Sequence, residues 1–185
     1  MSKLKIAFYA CLLIMIFGAA PASADDEASN VAYVKTSKYG RSYAKCIPAE
    51  LYGSKGLTKV YLVREGEDQL ESSYPWYSKE VYLSDRPGGV SVVRLGPWAR
   101  GQTAKREDLA IGFYFSGKTL KEYSTLDIAG TPDNVGRSVS HYTVFKEVAG
   151  YRETDGGAIF DVVTVGGRVI SFDVRTGEIL EQRRN

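Results

Sequence analysis

Ala158–Gln182 reads AIFDVVTVGGRVISFDVRTGEILEQ, and its punctuation decides the fold class. Three apolar-rich segments, Ile159–Val165, Arg168–Val174 and Glu178–Gln182, are separated by Gly166-Gly167 and by Arg175-Thr176-Gly177. Gly-Gly supplies the positive φ that a tight hairpin turn demands, and a short loop closing on Gly is its longer counterpart. Val, Ile and Phe fill the positions between and suit a pleated surface. The stretch is a three-strand antiparallel meander. Ile159–Val165 carries apolar residues at both parities, which suits a strand covered on two faces.

Looser copies of the last hairpin recur upstream. Each has an apolar strand, a turn containing Gly and a strand bearing Leu: Val60-Tyr61-Leu62 with Gly66 and Leu70, Phe113-Tyr114-Phe115 with Gly117 and Leu120, Ile170-Ser171-Phe172 with Gly177 and Leu180. Strand and turn signals around these copies divide the chain into units 31–73, 80–124 and 139–182, each long enough for four strands. Asp85-Arg86-Pro87-Gly88-Gly89 and Ser116-Gly117-Lys118 mark turns within the second unit. Between units lie Tyr74-Pro75-Trp76-Tyr77 and the stretch 125–136, where one helical turn after Ser124 is expected. No segment has the apolar period of an amphipathic helix of ordinary length.

The hairpin Ile170–Leu180 resembles the outer hairpin of β-propeller blades, and the chain as a whole resembles small secreted bacterial all-β proteins built of such sheets. That resemblance implies an all-β antiparallel meander of about ten to twelve strands in three blade-like units, a partial propeller. It implies no activity. The alternative is a single barrel or sandwich of about ten strands.

The N-terminus reads as an address. Lys3 and Lys5 precede the apolar run Ile6–Phe17, and Ala22-Ser23-Ala24 follows, the three parts of a secretory signal peptide cleaved after Ala24. The run has twelve residues, against about 20 for a spanning helix. Only five of them precede Cys11, which makes a lipid-anchored reading weak. The expectation is an exported (periplasmic or secreted) protein with one all-β domain over 25–185. Cleavage removes Lys3 and Lys5, leaving 22 basic against 22 acidic residues. Nothing in that balance favours nucleic acid, and no later segment is apolar enough to span a membrane. One cysteine, Cys46, remains in an alternating strand before Pro48, where a small buried hydrophobe is expected.

Motifs for catalysis are sparse. His141 has no nucleophile-elbow serine nearby, and strand alternation places Ser140 and Tyr142 on the face opposite its ring. It is a weak site candidate, more at home as a strand histidine bonded to backbone. One His and one Cys 95 residues apart give no zinc spacing, and the Gly-rich spots precede no helix that could hold phosphate. No catalytic residue, metal ligand or cofactor is therefore assigned. Aromatics carry more information. Tyr74, Trp76, Tyr77 and Trp98 lie beside prolines at strand ends, where rings form a platform or else plug the sheets. The composition points to a non-enzymatic protein-interaction module of the cell envelope. Its expected partner is another envelope protein or a second copy of itself, with carbohydrate binding as the alternative and hydrolysis a distant third.

Overall fold

The computed structural model describes residues 28–154 and 157–184. The segment expected to be a signal peptide, its expected cleavage site and Cys11 lie outside the described residues. Four antiparallel sheets are present and none closes into a barrel. Three of them are four-stranded meanders in chain order. The first holds β1 (Tyr33–Thr36), β2 (Ser42–Pro48), β3 (Gly56–Leu62) and β4 (Gln69–Tyr74). The second holds β5 (Val81–Arg86), β6 (Gly89–Leu95), β8 (Leu109–Phe115) and β9 (Lys118–Ser124). The third holds β12 (Phe145–Thr154), β13 (Gly157–Thr164), β14 (Arg168–Asp173) and β15 (Ile179–Arg184). A small fourth sheet, in the order β10-β11-β7, joins Gly136–Arg137, His141–Thr143 and Ala99–Arg100. The chain is all-β with blade-like sheets.

The second sheet is the middle layer. Val90, Val92 and Tyr114 leave one of its faces to meet Ala44, Val60 and Tyr74 of the first sheet. Val93, Ile111 and Phe113 leave the other to meet Phe160, Ile170 and Phe172 of the third. Alternation along a strand sends successive side chains to opposite cores, so every residue from Val90 to Leu95 is buried. Ser91 and Arg94 are among them. Arg94 lies 4.6 Å over the ring of Trp76, which keeps a buried guanidinium against a π face. Phe113 stacks at 4.9 Å on Phe172 and meets Phe160 edge-on at 6.4 Å.

The outward faces are not bare. On the third sheet, Asp161 binds Arg152 at 2.9 Å and accepts from Ser171 at 2.6 Å, so β13 is apolar on its inner side and ion-paired on the outer. The two-faced burial expected of Ile159–Val165 belongs instead to β6 and β8. On the first sheet, Tyr43 stacks on Tyr61 at 5.1 Å, beside the facing lysines Lys45 and Lys59.

The hairpin repeat is a structural repeat. Gly66, Gly117 and Gly177 each take positive φ (89°, 79° and 76°) between the third and fourth strands of their sheets. Each sheet also has a bulge at the same place. Pairing passes from Val60↔Ser72 to Tyr61↔Leu70, from Phe113↔Lys121 to Tyr114↔Thr119, and from Ser171↔Glu181 to Phe172↔Ile179. The residues passed over are Glu71, Leu120 and Leu180. An extra residue on one strand increases local twist and re-aims its side chain. Glu71 uses this to reach the second sheet, accepting from Ser116 Oγ at 2.7 Å.

The third unit departs from expectation. Unit 139–182 does not enter one sheet whole: 141–143 belong to the small sheet, and β12 starts at Phe145 and runs through Gly150 to Thr154 with two register shifts. Gly150, with φ 83°, bends the strand without ending it. The segment that follows Trp98 supplies β7 to the small sheet. The turn after Ser124 is the short helix α1 (Thr125–Ala129), held by a reciprocal cap in which Ser124 Oγ accepts from Asp127 N–H at 3.1 Å and Asp127 accepts from Ser124 N–H at 3.0 Å.

Candidate functional site

The four candidate aromatics part company. Tyr74, Trp76 and Tyr77 are 3%, 8% and 1% exposed, while Trp98 is 45% exposed. The first three plug the seam between the first and second sheets. Tyr74, Trp76 and Tyr114 form a triangle with ring centroids 5.0 to 5.3 Å apart. Tyr77 hands its hydroxyl proton to Val31 O at 2.9 Å, and Thr58 Oγ1 donates to Trp76 O at 2.9 Å. A chain crossing from the last strand of one sheet to the first of the next must fill that seam, and large rings fill it best. Of the two readings of these four residues, plug or platform, the plug describes Tyr74, Trp76 and Tyr77, and Trp98 alone of the four is exposed.

Backbone geometry presents Trp98. At the end of β6, a Cβ on Gly96 would stand 1.7 Å from Leu109 O, so only glycine lets the two strands meet there. Gly96 N–H still donates to Ala110 O at 2.8 Å; Pro97 then ends the ladder and turns Trp98 outward. Its ring meets His141 edge-on at 5.9 Å, with Lys79 Nζ 6.0 Å from its centroid. Three linkers thus converge: 79 before β5, 98 after β6, and 141 in the small sheet. Register explains the last, since β11 pairs with β7 as His141↔Arg100 and Tyr142↔Ala99.

Trp98 is a ridge between two hollows. One, of about 350 Å³, lies between the second and third sheets, with Lys79, Glu80 and Glu147 among its lining residues, together with Tyr82, Phe145 and Val148. Tyr142 also lines it; its hydroxyl donates to Asp108 at 2.7 Å and lies 2.8 Å from Thr125 Oγ1. Burial, with Asp108 beside it, raises the Tyr142 pKa, so this hydroxyl stays protonated. The second hollow, of about 270 Å³, is lined by Arg137, Ser138, His141 and Thr143.

The serine beside His141 is not on the opposite face. Ser140 lies outside the strand, where alternation does not apply, and its Oγ is 2.7 Å from His141 Nδ1. This is not the order of a hydrolytic triad, in which serine meets Nε2 and a carboxylate orients Nδ1. Among the described residues, no group of three or more His, Cys, Asp or Glu side chains is placed to hold a metal ion. Sequence reading names Trp98 and His141 separately but has no signal for their contact, nor for Lys79, which only the fold brings to the ring. No known protein family matches the chain, and no curated protein matches it either.

Proposed function

We propose that this is an exported, non-enzymatic binding module of the cell envelope that takes a protein partner at Trp98. The observation that carries the reading is a tryptophan half exposed on a ridge between two hollows, each of a size to receive a side chain. Tryptophan dominates binding energy at interfaces when its ring enters a partner and flanking contacts exclude water. Lys79, Glu80, Arg137 and Glu147 form a charged rim of both signs, which suits a polar partner surface.

Capture from native envelope extract tests it. Wild type retains a partner that Trp98→Ala loses, with unchanged thermal midpoints. Equal retention by both proteins would end the Trp98 reading. Carbohydrate is the second reading, resting on the same ring and its polar surround; glycan-array signal abolished by Trp98→Ala would favour it. Export is tested separately by the mass of the mature protein, expected to begin at Asp25.

A further inference from the structure

The tip of the β5–β6 hairpin, Arg86-Pro87-Gly88-Gly89, stands between two clefts on the far side of the second sheet. One, of about 570 Å³, opens toward the first sheet and is lined by Arg41, Arg64 and Arg86. The other, of about 580 Å³, opens toward the third and is lined by Arg86 and Arg175. Arg86 is common to both. Its guanidinium carbon lies 3.6 Å from the centroid of Phe115, and Gly89 packs so closely under the tip that a Cβ there would come 3.2 Å from that ring.

The ring contact restrains the guanidinium but satisfies none of its five N–H donors. Among the described residues the Arg86 guanidinium makes no hydrogen bond and no ion pair, although its backbone lies in the β5–β6 ladder. Of the other cations, Arg175 binds Asp173 at 3.0 Å, Arg64 Nε reaches Gln69 at 3.4 Å, and the Arg41 guanidinium lies 6.0 Å from the centroid of Tyr39. The acids of the first cleft are each held through one oxygen, while Glu71 Oε2 and Asp85 Oδ2 are buried without a hydrogen-bond partner among the described residues. Glu71 accepts from Ser116 Oγ at 2.7 Å and Val90 N–H at 3.4 Å, and Asp85 accepts from Ser42 Oγ at 2.5 Å. Three guanidiniums against those two carboxylates leave this cleft one positive charge in excess. Burial first, and then the charge of Arg175, lower the Arg86 pKa below the ordinary guanidinium value. Arg175 lines the other cleft and is paired with Asp173, so in the first cleft it is the partial burial of Arg86 that favours an anion beside it.

We propose that the cleft between the first and second sheets is an oxyanion-binding site, in which Arg86, pre-oriented on Phe115, grips a carboxylate, phosphate or sulfate group of a small ligand, with Arg41 and Arg64 supplying the surrounding charge. Planar forks match such oxygens two at a time, and a stacked fork loses little freedom on binding. The site lies at the opposite end of β6 from Trp98 and is independent of any partner there.

Amide NMR titrations of the mature protein with inorganic phosphate, sulfate and acetate, at ionic strength held constant with chloride, test it. Wild type shows saturable shifts centred on Gly88 and Gly89 with at least one probe, and Arg86→Met weakens binding by about tenfold or more. Arg86→Lys keeps the charge without the fork and recovers only part of it. Trp98→Ala binds like wild type. The pattern among the three probes identifies the preferred group. Non-saturable shifts with all three, saturation centred elsewhere, or full affinity in Arg86→Lys and Arg86→Met overturns the site. Arg86→Lys retains the stem over Phe115 and serves as the folded comparison if Arg86→Met is unstable.

Discussion

Truncating Phe113 to alanine probes the stacking of the second sheet on the third. The side chain is fully buried and touches Phe172 and Phe160 across the gap between sheets. Removing a buried phenylalanine costs about 3–5 kcal/mol, cavity included. Set against a total stability of roughly 5–15 kcal/mol, that leaves a folded but weakened protein. For a chain of this size the midpoint falls by about 2–4 °C per kcal/mol, hence by roughly 6–20 °C. A double-mutant cycle sharpens the test. Phe113 and Phe172 should couple by about 0.5–1.5 kcal/mol beyond their separate losses. Phe113 and Tyr74 should couple negligibly, because Tyr74 packs on the opposite face of the same sheet. Urea unfolding followed by far-UV circular dichroism measures all of these. A loss under about 1 kcal/mol for Phe113→Ala, or a Tyr74 coupling as large as that of Phe172, refutes the three-layer packing.

Gly96→Ala meets backbone at Leu109 and should destabilise by about 1–3 kcal/mol or more, with the exposed Gly66→Ala as the comparison for backbone strain alone. Cys46 is fully buried and its pKa is raised by burial, against weaker hydrogen bonds from Tyr33 and Thr58, so native protein should label with a thiol reagent only as fast as it unfolds. Its replacement by serine should cost about 1–3 kcal/mol in urea titrations. Asp173 has its pKa lowered by the Arg175 hydrogen bond, outweighing burial. A lowered folded-state value contributes stability that is complete above the unfolded value of about 3.9 and disappears as pH falls through the folded one. Asp173→Asn should accordingly flatten the fall in thermal midpoint below about pH 4, and an unchanged slope would assign that fall to other carboxylates.

The all-β meander is legible because its turns are written in glycine: Gly66, Gly117 and Gly177 occupy equivalent turns in the three sheets. Which sheet lies in the middle is not legible. Val90-Ser91-Val92-Val93-Arg94-Leu95 contains a serine and an arginine, yet both are buried, Arg94 against the ring of Trp76 and Ser91 with no hydrogen-bond partner for its hydroxyl among the described residues. The apparently two-faced Ile159–Val165 hides one charge, Asp161, that its cross-strand partner Arg152 keeps at the surface. The small sheet escapes notice because β7 and β10 are two residues each, too short for any periodicity. Burial of Tyr74, Trp76 and Tyr77 likewise depends on which sheets the linker bridges. Local sequence shows that aromatics gather there, and only packing distinguishes a plug from a platform.

The bulge repeated in each sheet bears on how this protein survives crowding. β4, β9 and β15 are edge strands, and an edge of regular strand offers unpaired backbone groups to any passing chain. With Glu71, Leu120 and Leu180 each standing out of the ladder, the outer edge changes phase partway along. An incoming strand could keep register for only a few residues before losing it. The edge of β15 adds Glu181, Arg183 and Arg184, whose charges resist stacking of like copies. An open stack of sheets would otherwise be a seed for fibres; here the edges formed by β4, β9 and β15 each carry an interruption against edge-to-edge polymerisation.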